Sequence, residues 1–408
     1  MAGTPNSGRS LVSHTAIVAL ALALGQAAAY LVSVVAARAL GPDQFGIFAA
    51  LLGILLIGSV LAMGLQAVAA RRLVHVTIAE RGPVAASLMR AGLIGGLAVT
   101  AATLAVAPFL RWWLDISSWP VLVGVALTFV PLTWAGATYG VAQGREDYRR
   151  LAAAYALVGL GRGIGGVIGA LVTGGVLGTI VGLLVGTTAG AIAARLIISP
   201  LVARPAAHLH RVASETAHAT HALLALFVLT NIDVLLARAL LTAEDAGLYG
   251  VGVIVAKVAF WLPQFVGVVA FPRFADARRG RATVATVGAV FGIGVAVVGA
   301  TALLPGLVVG IAGGPQYTAL VPVAWIFAAA GAVFALGQAL LLTRLAIDDR
   351  RAVIVVWSAA GLLVVLATWV LPHTVTGLVM SALIAGLSLA TVGVSAAVRE
   401  VRLGKDHG

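Results

Sequence analysis

The chain contains no cysteine in 408 residues, which excludes disulfides, thiolate metal sites and a cysteine nucleophile while leaving the redox compartment open. Charge is scarce as well, at 10% of residues, against about 25% in soluble domains. Lysine is nearly absent, with Lys257 and Lys405 its two occurrences. What fills the space is apolar: 61% of residues are hydrophobic and the mean hydropathy is +1.08. A soluble globular protein is thereby excluded. At roughly 20 apolar residues per crossing plus short connections, a chain of this length accommodates about twelve spans and no soluble catalytic domain. The apolar stretches run for twenty residues or more, without the alternation of a membrane barrel, so the spans are expected to be helices.

Charged and Gly/Pro breaks divide the apolar runs at residues 11–37, 45–70, 86–110, 120–143, 151–172, 177–200, 218–241, 247–271, 283–311, 320–343, 352–371 and 376–398. The first run is longer than a signal-peptide core, lacks a convincing cleavage site and is read as a retained helix. Of the 26 Lys and Arg residues, Arg38, Arg111 and Arg238 fall in outer connections, Arg162 and Lys257 fall within spans, and the other 21 lie on one side. The positive-inside rule places that side, with both termini, in the cytoplasm. The net charge of +12 is therefore a topology signal and implies no nucleic acid. Trp112, Trp113 and Trp119 beside an outer loop fit an interfacial aromatic belt.

The two halves repeat. Ala37-Arg38-Ala39-Leu40 followed by Gly46-Ile47-Phe48 matches Ala237-Arg238-Ala239-Leu240 followed by Gly247-Leu248-Tyr249, at an offset of 200 that becomes 201. Asp147-Tyr148-Arg149-Arg150 matches Asp348-Asp349-Arg350-Arg351 in the same register. A duplicated six-helix unit is expected, with bundles at 1–210 and 211–408. Six being even, the copies enter the membrane in one orientation, related by a pseudo-two-fold axis along the membrane normal.

The stretch Arg38-Ala39-Leu40-Gly41-Pro42-Asp43-Gln44-Phe45-Gly46-Ile47-Phe48 resembles the R-x-L-G-P-x-x-F-G-x-[FY] signature of bacterial polysaccharide flippases, the Wzx/PST type of the multidrug/oligosaccharidyl-lipid/polysaccharide (MOP) superfamily. Asn231-Ile232-Asp233, Gly247-Leu248-Tyr249 and Phe271-Pro272 are similar to that family's second-half pattern. The resemblance implies an all-α, MATE-like fold of twelve transmembrane helices in two six-helix bundles. It further implies transfer of polyprenyl-diphosphate-linked oligosaccharide from the cytoplasmic to the outer leaflet of the bacterial cytoplasmic membrane, coupled to a sodium or proton gradient. Membrane lipids, and a glycan polymerase or glycosyltransferases, are the partners implied. No resident cofactor or metal is expected. A multidrug antiporter shares the same helical plan and is the alternative.

An anionic head group entering the membrane needs cations to replace its hydration. Arg162 lies about 16 Å into the fifth run, near the midplane of a core about 30 Å thick, and charge there is costly. Gly161, Gly163, Gly165, Gly166 and Gly169 around it would let a helix or a ligand approach closely. Lys257 and Asp233 come out at similar depth on consecutive runs, either as an ion pair or with Asp233 and Asn231 forming a cation site, since hard cations take oxygen ligands. Gln26, Tyr30 and Gln66 have the chemistry to bond sugar hydroxyls, and bonds between helices account for them equally well. His208, His210, His218 and His221 lack carboxylates nearby and read as a solvated segment rather than a metal site. A membrane-embedded glycosyltransferase or polymerase would need exposed acids or histidines, and the longest outer connection offers Asp115 alone. An enzyme is not expected.

Overall fold

The computed structural model describes residues 7–202, 212–274, 279–345 and 350–405. All regular structure among them is helical: α1 (Ser7–Gly58), α2 (Val60–Val74), α3 (Ile78–Trp113), α4 (Trp119–Gly144), α5 (Tyr148–Thr173), α6 (Val176–Ile197), α7 (Val212–Leu229) and α8 (Ile232–Leu240) in the first part of the chain. The remainder forms α9 (Ala243–Phe274), α10 (Arg279–Leu303), α11 (Pro305–Ala312), α12 (Ala324–Leu345), α13 (Arg350–Val365) and α14 (Val375–Lys405). Short 3-10 segments occupy Ser199–Leu201 and Pro315–Val323, and a π-helical turn follows α13 at Leu366–Val370.

Among the described residues ten helical runs are long and apolar enough to cross a membrane, and the bent pair α10–α11 makes eleven. The first run, Ala16–Val74, has 59 residues, about 88 Å at 1.5 Å per residue against a core of about 30 Å. It therefore crosses twice. Its two arms separate at Gly41, whose φ of 74° and ψ of 169° leave the helical region, and Pro42 follows inside the run. Glycine takes positive φ without a Cβ clash, and proline has no N–H to continue the ladder. The result is twelve crossings, matching the number of apolar runs. The short break expected near Gly174 and Gly175 is present, because Gly174 caps α5 in the left-handed region at φ 59° and α6 starts two residues later.

Apart from the turn at Ser59 within 45–70 and the 3-10 and π-helical segments already given, two expected spans are interrupted. The run 283–311 bends by 96° between α10 and α11, where Pro305 opens α11 and pushes Leu304 to φ −126°. The residue before proline is driven out of the helical region by the ring's Cδ. The run 218–241 breaks at Thr230 and Asn231, with no proline or glycine nearby to announce it.

The chain divides into two compact units, Met1–Leu40 with Ile54–Leu224, and Gly41–Gly53 with Ala225–Gly408. This division runs through α7, and it assigns the motif-bearing segment after Gly41 to the second unit. In the first unit α5 is the pivot. A Cβ at Gly165 or Gly169 would strike the carbonyl of Gly182 or Gly178 on α6, while Gly163 lies against Ala28 and Gly166 against Val32 of α1. With lipid tails as apolar as the side chains, such close backbone approach holds helices together. The glycines around Arg162 thus serve helix packing on two sides. In the second unit α12 packs against α9 and α10, and Phe327 meets Tyr249 edge-on at 5.1 Å.

At one end of the first unit Arg111 stands 5.1 Å over the ring of Trp119, and Phe109 stacks on Trp113 at 5.8 Å. Trp112 is 77% exposed, an arrangement that suits an interfacial belt.

Candidate functional site

Among the described residues, each unit holds a cluster of polar side chains within largely apolar packing. In the first unit the cluster lies between α2, α4 and α5. The Gln66 amide donates both to Gln143 Oε1, at 2.8 Å, and to the Tyr155 hydroxyl, at 2.6 Å. Tyr139 packs on Tyr155 with ring centroids 4.2 Å apart and interacts electrostatically with Arg162. Helical spacing explains the assembly: Tyr139 and Gln143 are four apart on α4, and Tyr155 and Arg162 are seven apart on α5, so each pair shares a face. Half-buried in the middle of α5, Arg162 is joined to no acidic side chain among the described residues.

The structure therefore brings Arg162 and Gln66 into one neighbourhood, with Gln143, Tyr139 and Tyr155 as companions the sequence reading missed. Their helical spacings were visible, but the bonds of Gln66 span 77 and 89 positions, which no local pattern reveals. Gln26 and Tyr30 are half-buried on one face of α1. The Tyr30 hydroxyl is buried without a hydrogen-bond partner.

In the second unit the cluster surrounds the break between α7 and α8. Asn231 sits at φ −139°, outside the helical region. Its side-chain amide donates to the Phe227 carbonyl at 2.9 Å and to the Thr230 hydroxyl at 3.2 Å, and its Oδ1 accepts from Lys257 Nζ at 3.2 Å. Two residues on, Asp233 Oδ2 accepts from the Tyr249 hydroxyl at 2.9 Å. Its other oxygen, Oδ1, is buried with no partner. Asp233 and Lys257 thus do not form the direct ion pair that was one of the two expectations, for each is bonded to a neutral residue instead. A buried carboxylate oxygen without a donor costs about 1 to 3 kcal/mol or more. The arrangement can take up a proton or a small cation at Oδ1 with the Tyr249 bond left in place.

The signature residues build the joint on which this second cluster rests. A Cβ at Gly247 would strike the Pro42 carbonyl, and one at Gly46 would lie 2.9 Å from the Gly247 nitrogen. Phe45, fully buried, packs against Gly250 and meets Tyr317 edge-on at 6.2 Å. Gly41 supplies the turn. The two basic signature residues differ, since Arg38 is exposed and Arg238 is 7% exposed. Pro272 falls within α9. Of the four histidines, His218 and His221 lie on α7, and His208 and His210 lie outside the described residues. Among the described residues no group of three or more His, Asp or Glu side chains is placed to hold a metal.

Twelve crossings, a chain folded as two units and polar clusters buried within them define a multi-pass helical membrane protein. Three solved structures share the fold. An inward-facing multidrug-resistance MATE-family transporter of the MOP superfamily matches with a TM-score of 0.67 at 13% identity, over 95% of this chain and 98% of that one. A MOP-superfamily transporter from Pyrococcus furiosus matches at 0.57 and 13% identity, over 95% and 96% of the two chains. A MATE protein in a bent conformation matches at 0.57 and 13%, over 99% of each. At such identity the likeness shows the fold alone. No curated protein matches the sequence. The family of polysaccharide biosynthesis proteins matches residues 11–278, more than half of the chain, and the protein belongs to it. Family and fold together describe a membrane protein of polysaccharide biosynthesis with a MATE-like helical fold.

Proposed function

We propose that the protein moves a polyprenyl-diphosphate-linked oligosaccharide from the inner to the outer leaflet of the bacterial cytoplasmic membrane by alternating access, with both termini in the cytoplasm. The observation that carries this reading is Arg162: a guanidinium in the middle of α5, paired with no acid among the described residues, in a chain of the polysaccharide biosynthesis family. A guanidinium beside the neutral Tyr139 keeps its charge available, and its planar fork suits the oxygens of a diphosphate. Lys257 supplies a second cation, while Gln66, Gln26 and Tyr30 offer hydrogen bonds to the sugar. Asp233 and Asn231 form the site at which sodium or a proton is taken up to drive the cycle. Glycosyltransferases supply the loaded lipid and a glycan polymerase consumes it.

The test replaces Arg162 with Gln and follows lipid-linked oligosaccharide reaching the outer leaflet, by labelling of the exposed glycan. The variant is expected to accumulate in the membrane at the parental level while transport falls at least tenfold. Arg162→Lys should recover part of the rate, because an ammonium keeps the charge but loses the bidentate fork. Full transport by the Gln variant would overturn the reading.

A further inference from the structure

The Gln66 bonds fix more than packing. An amide nitrogen carries two hydrogens and no lone pair available to accept, and both hydrogens of Gln66 Nε2 are spent, one on Gln143 Oε1 and one on the Tyr155 oxygen. Tyr155 is thereby an acceptor towards Gln66. Its own O–H proton must point elsewhere, and among the described residues no acceptor meets it. The donor has a definite height on α5: Tyr155 precedes Arg162 by seven residues on the same face, about 10 Å along the axis. This is the spacing of the two backbone positions. The order along the helix suits a phosphate at Arg162 with the attached sugar ring towards Tyr155. Charge is divided accordingly, with a cation at the deep position and neutral hydroxyl and amide groups around Tyr155, beside the paired rings of Tyr139 and Tyr155.

We infer that Tyr155 donates its hydroxyl proton to an oxygen of the first sugar of the lipid-linked substrate, and that Gln66 is the positioning residue that turns this proton towards the ligand. The inference rests on the proposed transport of a diphosphate-linked saccharide. It changes the role of Gln66: rather than touching sugar itself, the side chain acts through Tyr155 and is held for that purpose by Gln143.

The experiment uses the full chain reconstituted in lipid nanodiscs and two probes, polyprenyl diphosphate and polyprenyl diphosphate carrying a single N-acetylhexosamine. The quantity read is the ratio of their dissociation constants. Tyr155→Phe keeps the ring and its packing on Tyr139 and removes only the donor. It should lower the preference for the sugar-bearing lipid roughly three- to tenfold, the worth of one neutral hydrogen bond, and leave binding of the sugar-free lipid unchanged. Gln66→Glu preserves a bond to Tyr155 but reverses it, because a carboxylate only accepts, so the tyrosine proton is drawn inward. The ratio should fall to the Tyr155→Phe value, while the added charge acts on both lipids alike. A ratio unchanged in Gln66→Glu would show that the bond is structural and overturn the inference. An equal loss on both lipids in Tyr155→Phe would place a phosphate rather than the sugar at this hydroxyl, and would overturn it too. If the parental chain binds neither lipid, the transport reading itself fails and takes this assignment with it.

Discussion

The two copies of the repeat build similar helices and load them with polar residues at different places. In the second copy the pair Asp233 and Tyr249 is hydrogen-bonded at 2.9 Å, and Lys257 bonds Asn231. Stepping back by 200 or 201 positions gives Ser33, Phe48, Leu56 and Leu31. Carboxylate, phenol, ammonium and amide are all missing there, and α1 runs unbroken through residues 31–33 while α7 and α8 part at the equivalent point. The first copy's Arg162 and Tyr155 correspond in turn to Leu363 and Val356, both buried. Each copy is thus a control for the other. The repeated helices form without the polar residues, so neither cluster is required for the scaffold, and each needs an explanation beyond packing. Under the proposed function, the cation without an acidic partner in one unit serves anion binding and the carboxylate of the other serves cation uptake.

The sharpest way to break the comparison is to damage what the copies share. Gly46 and Gly247 hold equivalent signature positions, and the Gly247 backbone lies against the Pro42 carbonyl. Gly247→Val forces the backbones apart. It should lower stability by about 3 kcal/mol or more and sharply reduce the amount of folded protein recovered in detergent, as read by size-exclusion chromatography. Normal recovery would mean that the joint is not a tight contact.

A second, smaller effect exchanges one copy's chemistry for the other's. Tyr249→Phe alone leaves the Asp233 carboxylate without its side-chain donor and should cost about 1 to 3 kcal/mol. Adding Asp233→Ser, which completes the first-copy pair, should recover most of that loss in a thermal melt. The cycle should therefore show a coupling of about 1 kcal/mol or more, as expected of residues in direct contact. Strict additivity would separate the two residues.

The smallest effect lies where α2 ends and α7 begins. Arg72 holds Glu215 through two bonds of 3.0 and 2.8 Å, and Arg71 approaches at 3.5 Å. The hydrogen bond from Arg72 keeps the Glu215 carboxyl below its ordinary 4.5. A depressed folded-state value contributes stability above the unfolded value, lost as pH falls through the folded one. The pairing should then begin to weaken below about pH 4.5, with an effect under about 1 kcal/mol because the pair is partly open to solvent. Glu215→Gln should flatten that portion of the melting-temperature profile without affecting either polar cluster.

Much of the fold was legible because membrane helices announce themselves by length and apolarity. The basic connections and the junction repeated from Arg38 to Arg238 added the duplication. What stayed hidden was set by tertiary contacts. The break at Thr230 and Asn231 carries no proline or glycine; it is stabilised by the Asn231 side chain bonding the Phe227 carbonyl, a use of asparagine no hydropathy pattern reports. The bend at Leu304 was masked by an apolar run, although Pro305 was in view. Arg162 was legible as a midplane charge, and its glycine neighbours, which suited the close approach of either a helix or a ligand, pack against α1 and α6. Gln143, Tyr139 and Tyr155 escaped notice because ordinary residues acquire meaning only where three helices meet.

The division of labour between the clusters is tested most directly by flux of polyprenyl-diphosphate-linked oligosaccharide in sealed proteoliposomes, with and without imposed sodium and proton gradients. Three chains are compared: the parent, Arg162→Leu, and the double replacement Asp233→Ser with Tyr249→Phe. The account predicts that Arg162→Leu abolishes flux under every condition, while the double variant keeps a basal flux that no longer rises with either gradient. Transport by Arg162→Leu at the parental rate, or a double variant that still responds to a gradient, would contradict it.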